Sequence, residues 1–327
     1  MAIMPRKSKS ASRQSTLSPV MGGQNFPDPA VIRIGNSWYG YATNARGGIN
    51  GKPVHIMMAK TDDWKNWTFL SAGGNQDALP VLPAWVDAAD PRVWAPDVVQ
   101  LSDGSFVMYF SAALASNPAL HCIGTATSTS PTGPFKPSSD TSPWACPTAQ
   151  GGAIDASGFV DPGTGNRYVT YKIDGNAIGH GGACGNTVAP IVPTPIMLQQ
   201  VDSRGGIAKI GGPVQILTNG PGDGPYVEAP AINRFPDGTY VLFYSPNCFA
   251  TPDYAVAYAT AKSIAGPYTR QGALFKTGDY GLVAPGGLDV AVNGNHAVFH
   301  ANYGTGRAMY TALLSIANDK ISATFGT

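Results

Sequence analysis

APAINRFPDGTYVLFYS, residues 229–245, decides the fold. An apolar run, Ala229 to Phe235, meets a Pro-Asp-Gly turn at 236–238 and rises into the aromatic run Tyr240 to Tyr244. Two β-rich runs joined by such a turn read as a β-hairpin. The same unit recurs: DPAVIRIGNSWYGYA from Asp28, APDVVQLSDGSFVMYFS from Ala95, DASGFVDPGTGNRYVTYK from Asp155 and LDVAVNGNHAVFHA from Leu288. A third strand follows each copy, beginning at His55, His121, Pro195, Tyr254 and Arg307. No segment sustains a helical period. Five similar units of about four strands, arranged radially, leave only short exposed edges. The expected fold is all-β, a five-bladed β-propeller. A β-sandwich would leave the five regular openings unexplained.

The composition fits. The chain has 327 residues, 43% of them hydrophobic, which is enough for a substantial core. Only 13% are charged, against ~25% in typical soluble domains. Glycine (40) and proline (28) are abundant but fall between short apolar runs, as turns joining strands require. Net charge is +1, with no basic stripe, so nucleic acid is not an expected partner. No window nears the ~18 apolar residues of a membrane helix. Residues 1–20 begin basic and Ser-rich (Arg6, Lys7, Lys9, Arg13) and read as a disordered leader or expression remnant. Residues 21–327 read as one catalytic propeller, expected to act as a monomer.

Four cysteines permit two disulfides. Cys122 and Cys146 flank one loop, which pairs them and leaves Cys184 with Cys248. Disulfides point to an oxidising compartment, hence an extracellular protein whose signal peptide is not in this chain.

The openings align on the apolar run before each turn. Asp28 then matches Ala95, Asp155 and Ala229, and Glu228 lies one residue before that column. Inner strands begin at the channel mouth of a propeller, so three carboxylates from blades one, three and four are expected to converge there. Mutual repulsion and partial exclusion of water raise a carboxyl pKa. Hydrolysis of a glycosidic bond needs one carboxyl that keeps its proton and another that stays ionised. Asp28 or Asp155 alone would also read as a turn residue. Glu228, set between an apolar pair and a buried strand, would be costly without a role. Asp97 is offset from the column and reads as structural or supporting.

At these residues the sequence resembles glycoside hydrolase family 43, the arabinanase, α-L-arabinofuranosidase and β-xylosidase group. The matching elements are Asn25-Phe26-Pro27-Asp28-Pro29-Ala30, Trp94-Ala95-Pro96-Asp97, Ala153-Ile154-Asp155, Val227-Glu228-Ala229-Pro230 and Phe299-His300, over roughly 22–316. The resemblance implies inversion at the anomeric carbon. It makes Asp28 the general base, Glu228 the general acid and Asp155 the modulator that keeps the acid protonated. Base and acid should then stand ~6.5–9.5 Å apart. Ala30 and Ala156 depart from the pattern, where Ser or Thr and Pro are common.

The expected substrate is an arabinose- or xylose-containing oligo- or polysaccharide of plant cell walls, with pentose released from side chains and ends. An endo-arabinanase and a non-catalytic carbohydrate-binding propeller are the alternatives. Asn25, Phe26, Trp94 and Arg307 are expected to bind sugar. His180, in the glycine-rich loop 179–186, is expected at the pocket rim. No cofactor is expected for the chemistry. His300 is the candidate for holding a structural Ca2+, although calcium prefers oxygen ligands.

Overall fold

The computed structural model describes residues 15–44, 48–292 and 294–326. Five four-stranded antiparallel sheets form the five blades of a propeller. Blade one comprises Ala30–Ile34, Ser37–Thr43, Ile56–Thr61 and Thr68–Phe69. The inner hairpins of the others are Trp94–Gln100 with Phe106–Leu114, Ala153–Val160 with Arg167–Ile173, Val227–Arg234 with Tyr240–Pro246, and Gly286–Val290 with His296–Tyr303. Each sheet uses one continuous stretch of chain, so no strand is exchanged between the first and last blades.

The core lies between blades. Tyr41 and Met58 of blade one pack on Val98, Met108 and Phe110 of blade two. Val31 and Trp38 pack on Val298 and Met309 of blade five. Equivalent apolar layers fill the other three interfaces. The aromatic runs that announced the hairpins are therefore buried on both faces, which explains their near-continuous hydrophobicity.

The ring closes through the segment preceding blade one. Asn25 bridges to Ala308, and the Phe26 N–H donates to the Arg307 carbonyl at 2.7 Å. Residues 1–14 of the expected leader lie outside the described residues. Of its remainder, Leu17 donates its N–H to the Tyr280 carbonyl at 3.0 Å and packs on the blade-five core. The two disulfides pair as expected, Cys122 with Cys146 and Cys184 with Cys248.

Candidate active site

Every inner strand carries the same irregularity. In blade two Trp94 pairs with Ser111, but Asp97 pairs with Tyr109, so three steps on the inner strand meet two on its neighbour. The same bulge separates Ile154 from Ser157, Glu228 from Ala231, and Gly286 from Asp289. In blade one the Thr43 N–H reaches the Pro27 carbonyl at 3.0 Å while Ala30 pairs with Tyr41, giving the same count. A bulge re-aims a side chain and interrupts pairing. The residue it throws into the channel is Asp28, Ala95, Asp155, Ala229 and Gly287 in turn, all with left-handed φ of 50°, 38°, 58°, 50° and 57°. Four are not glycine, so backbone strain is concentrated at this level. Gly287 completes the column read from the sequence. A Cβ on it would come within 2.9 Å of the His300 ring.

The bulge N–H cannot join its own ladder. It donates instead to a buried side chain of the preceding blade. Ala95 reaches Thr43 Oγ1 at 2.7 Å, Asp155 reaches Ser111 Oγ at 3.1 Å and Gly287 reaches Ser245 Oγ at 2.9 Å. Asp28 closes the ring onto His300 Nδ1 at 3.0 Å. In blades one, two, four and five the acceptor is the second-strand residue that pairs opposite the residue just before the bulge. In blade three that position, opposite Ile154, is Lys172, whose ammonium has no acceptor. Ala229 donates to Asp155 Oδ2 at 2.9 Å instead.

The channel is lined by five triplets, each starting at the bulge residue. Two residues deeper stand Asp97 and Asp289. Asp97 Oδ2 accepts from the Gly158 N–H at 2.5 Å and Asp289 Oδ2 from the Val31 N–H at 2.7 Å. Both stitch neighbouring blades, a structural role as expected for Asp97.

The three carboxylates at the mouth lie close enough to influence one another electrostatically, and they are treated differently. Burial pushes the Asp28 carboxyl up, but the Arg307 guanidinium and a hydrogen bond from Thr43 outweigh it, leaving the carboxyl below its ordinary range. Arg307 Nη1 and Nη2 donate to Asp28 Oδ1 and Oδ2 at 2.7 and 3.3 Å. Burial, then the charge of Glu228, push Asp155 up to about 8. Burial also raises Glu228, against the pull of Lys172. Glu228 Oε2 accepts from Lys172 Nζ at 3.1 Å, and Oε1 from the Tyr254 hydroxyl at 2.9 Å. Neither Lys172 nor Tyr254 was among the residues expected at the site. The expectation was a charged Asp155 beside a protonated Glu228. Because the buried cation touches Glu228, the shared proton favours Asp155.

The expected sugar contacts separate into two groups. Arg307 belongs to the site through Asp28. Asn25 is exposed beside it, and its Oδ1 accepts the Arg307 N–H at 3.0 Å. Trp94 is half-buried at the start of its inner strand, with one face covered by the His121 ring at a centroid distance of 3.6 Å. Phe26 is a correction. It is fully buried with Trp67 in the layer between blades one and five and offers no face to a sugar. His180 is exposed on its loop, and among the described residues no hydrogen bond or ion pair joins it to the carboxylates.

His300 is not placed as a metal ligand. Its Nδ1 accepts the Asp28 N–H, which puts its proton on Nε2, and Arg307 Nη1 stands 3.4 Å from that nitrogen. Burial and Arg307 lower its pKa to about 3, so the ring is neutral. A cation bound there would face the guanidinium directly, and the donor set does not fit Ca2+. Among the described residues no group of three or more His, Cys, Asp or Glu is arranged around a common metal position.

Beside Asp28 the face opens into a groove of 880 Å³ lined by Asn25, Pro27, Thr43 and Arg307, with Phe249 and Tyr303 on its walls. These two rings are 46% and 49% exposed, and the Arg307 guanidinium lies 5.3 Å from the Phe249 centroid.

The family model for glycosyl hydrolases family 43 matches residues 16–314. The extracellular endo-α-(1→5)-L-arabinanase 1 of Bacillus subtilis strain 168 is 28% identical over 298 residues, 84% of this chain and 79% of that relative. The extracellular endo-α-(1→5)-L-arabinanase of Thermotoga petrophila is 30% identical over 119 residues, 33% of this chain but only 22% of that longer relative. Among solved structures, a thermostable family-43 glycoside hydrolase superposes with a TM-score of 0.75 at 24% identity, covering 96% of each chain. At that identity the likeness shows the fold. Hydrolysis by glycoside hydrolases needs no cofactor. With its model matched over nearly the whole chain, and the acidic residues of the motifs gathered at one channel mouth, the protein belongs to glycosyl hydrolases family 43 and is a glycosidase.

Proposed function

We propose that the protein is an inverting glycosidase of arabinan- or xylan-type pentosans, with Asp28 as general base and Glu228 as general acid. Glu228 gives its proton to the glycosidic oxygen as the C1–O bond breaks. Asp28 takes a proton from the water whose oxygen bonds to C1 from the opposite face. Arg307 holds Asp28 ionised and oriented. Asp155 and Glu228 hold a proton between them near neutral pH, so a proton is on hand where the leaving oxygen arrives.

The observation that carries this reading is the opposite electrostatic treatment of acids at one mouth. Asp28 is drawn down by a cation, while Asp155 and Glu228 are pushed up by burial. Carboxyls with divergent pKa values are what acid and base roles require. The arabinanase relatives support a pentosan as substrate. The groove beside Asp28 favours a chain lying across the face over a single terminal sugar, and so favours chain engagement over strictly terminal release. Two disulfides fit an exported protein.

The test is a panel of nitrophenyl arabinofuranoside and xylopyranoside, linear arabinan and arabinoxylan, with the product anomer followed by NMR. Asp28→Asn and Glu228→Gln should each lower turnover by about 10²-fold or more. Retained configuration, or near-normal rates in either variant, overturns the assignment.

A further inference from the structure

We propose that Lys172 is a positioning residue for the general acid, holding Glu228 directly and Asp155 through the backbone it displaces. This rests on the reading of Glu228 given above. The mouth repeats nearly fivefold. Thr43, Ser111, Ser245 and His300 occupy one position in four blades, and each accepts the bulge N–H of the next blade. Lys172 occupies that position in the fifth. A lysine there fails as an acceptor, so its presence has to be explained by what else it does.

It does two things at once. Its ammonium, fully buried, lies 3.1 Å from Glu228 Oε2 and 3.1 Å from Asp174 Oδ1, and 4.2 Å from the Tyr226 ring centroid. By vacating the acceptor role it also leaves the Ala229 N–H to Asp155 Oδ2. Glu228 and Ala229 are consecutive residues. One substitution in the ring therefore ties the acid, its neighbouring carboxyl and the bulge between them into a single unit.

The groups facing this ammonium are Asp174 on its own strand's extension, Glu228 and Tyr226 from blade four, and Asp155 from the inner strand of blade three. Tyr254 joins through its hydroxyl on Glu228 Oε1. Three carboxylates surround one cation, which is why the ammonium stays charged although it is buried. The cation in turn limits how firmly Glu228 keeps its proton. Lys172 thus orients the acid and sets the pH at which it stops working.

The experiment compares wild type with Lys172→Met, Lys172→Arg and the double variant Lys172→Met/Asp174→Asn, which leaves no unpaired Asp174. Side-chain carboxyl ¹³C titration reads Glu228 and Asp155 without requiring activity, and pH profiles of kcat/KM read the same groups in turnover. Loss of the cation should move the Glu228 titration and the alkaline limb up by about one unit or more. It should also lower kcat, and Lys172→Arg should restore both in part. A residue that merely supports the fold would lower thermal stability and leave the titrations in place. Unmoved titrations in a folded double variant overturn the proposal. A wild type inert on every pentoside and pentosan overturns the hydrolase reading instead, and the carboxyl titrations still decide the role of Lys172.

Discussion

The backbone N–H of Asp28 donates to Nδ1 of His300 at 3.0 Å, joining the first blade to the last at the level of the mouth carboxylates. Among the described residues no strand is shared between these blades, so this bond joins the Asn25–Ala308 bridge and the Val31–Asp289 bond in holding the ring shut beside Asp28, the proposed base. The ring nitrogen is committed to that task. His300→Ala should leave a buried N–H without a partner and lower stability by about 1–3 kcal/mol. Urea unfolding measures the loss, and a fall in kcat should accompany it as Asp28 loosens. Chelation with EDTA should leave both stability and rate unchanged. A chelation-dependent melting temperature would return His300 to the role of metal ligand.

With Asp28 as the proposed base, Arg307 should set the lower end of the working pH range. Its guanidinium holds both oxygens of Asp28 and draws the carboxyl below its ordinary range. The base works only when ionised. Removing the cation in Arg307→Met lets burial dominate, so the acid limb of kcat/KM should move up by about one unit or more. Arg307→Lys keeps the charge but loses the paired donors, so its limb should lie between the two. An acid limb shared by all three proteins would detach Arg307 from the base.

Much of this ring was legible in the sequence because each bulge residue stands at a constant offset before an apolar run. That offset placed Asp28, Ala95, Asp155 and Ala229 in one column and Glu228 one step before it. Gly287 escaped because the last opening reads from Leu288, one residue later, and a glycine has no side chain to mark the column. Lys172 escaped because a lysine ending an aromatic strand reads as a solvated end. Its burial comes from packing between blades three and four, which local pattern does not report. Comparing the second-strand residues that face the bulges (Thr43, Ser111, Lys172, Ser245, His300) would have exposed it as the one member unable to accept. Phe26 misled for the converse reason. Proximity to Asp28 in sequence says nothing about which side of the strand faces the channel.

Asp155 should leave a mark on stability as well as on rate. Its folded pKa of about 8 lies above the unfolded value near ~3.9. Between those values the folded protein holds a proton that the unfolded chain has released. The stabilisation is complete below about pH 4 and is lost as pH rises through about 8. The slope is at most ~1.4 kcal/mol per pH unit for one proton. Asp28, whose pKa is lowered, acts in the opposite sense and only at lower pH, outside this window. Chemical denaturation from pH 4 to 8 should show wild type losing stability and Asp155→Asn losing less. Parallel curves would mean that Asp155 is ionised throughout.

Phe249 should decide how well long chains are used. Its hairpin is fastened by the Cys184–Cys248 disulfide, and its N–H donates to the Tyr226 hydroxyl at 3.1 Å. A ring held this firmly, half exposed and over Arg307, loses little entropy when a sugar lies against it. A sugar that covers about 40 Å² of the ring gains about 1 kcal/mol, or about fivefold in affinity. The kcat/KM of wild type should therefore rise from di- to longer oligosaccharides. Phe249→Ala should flatten that rise, and Phe249→Trp should keep it. A mutation that only disturbed Arg307 would lower every substrate by the same factor. The ratio between long and short chains separates the two effects, and a ratio unchanged in Phe249→Ala would remove the ring from substrate binding.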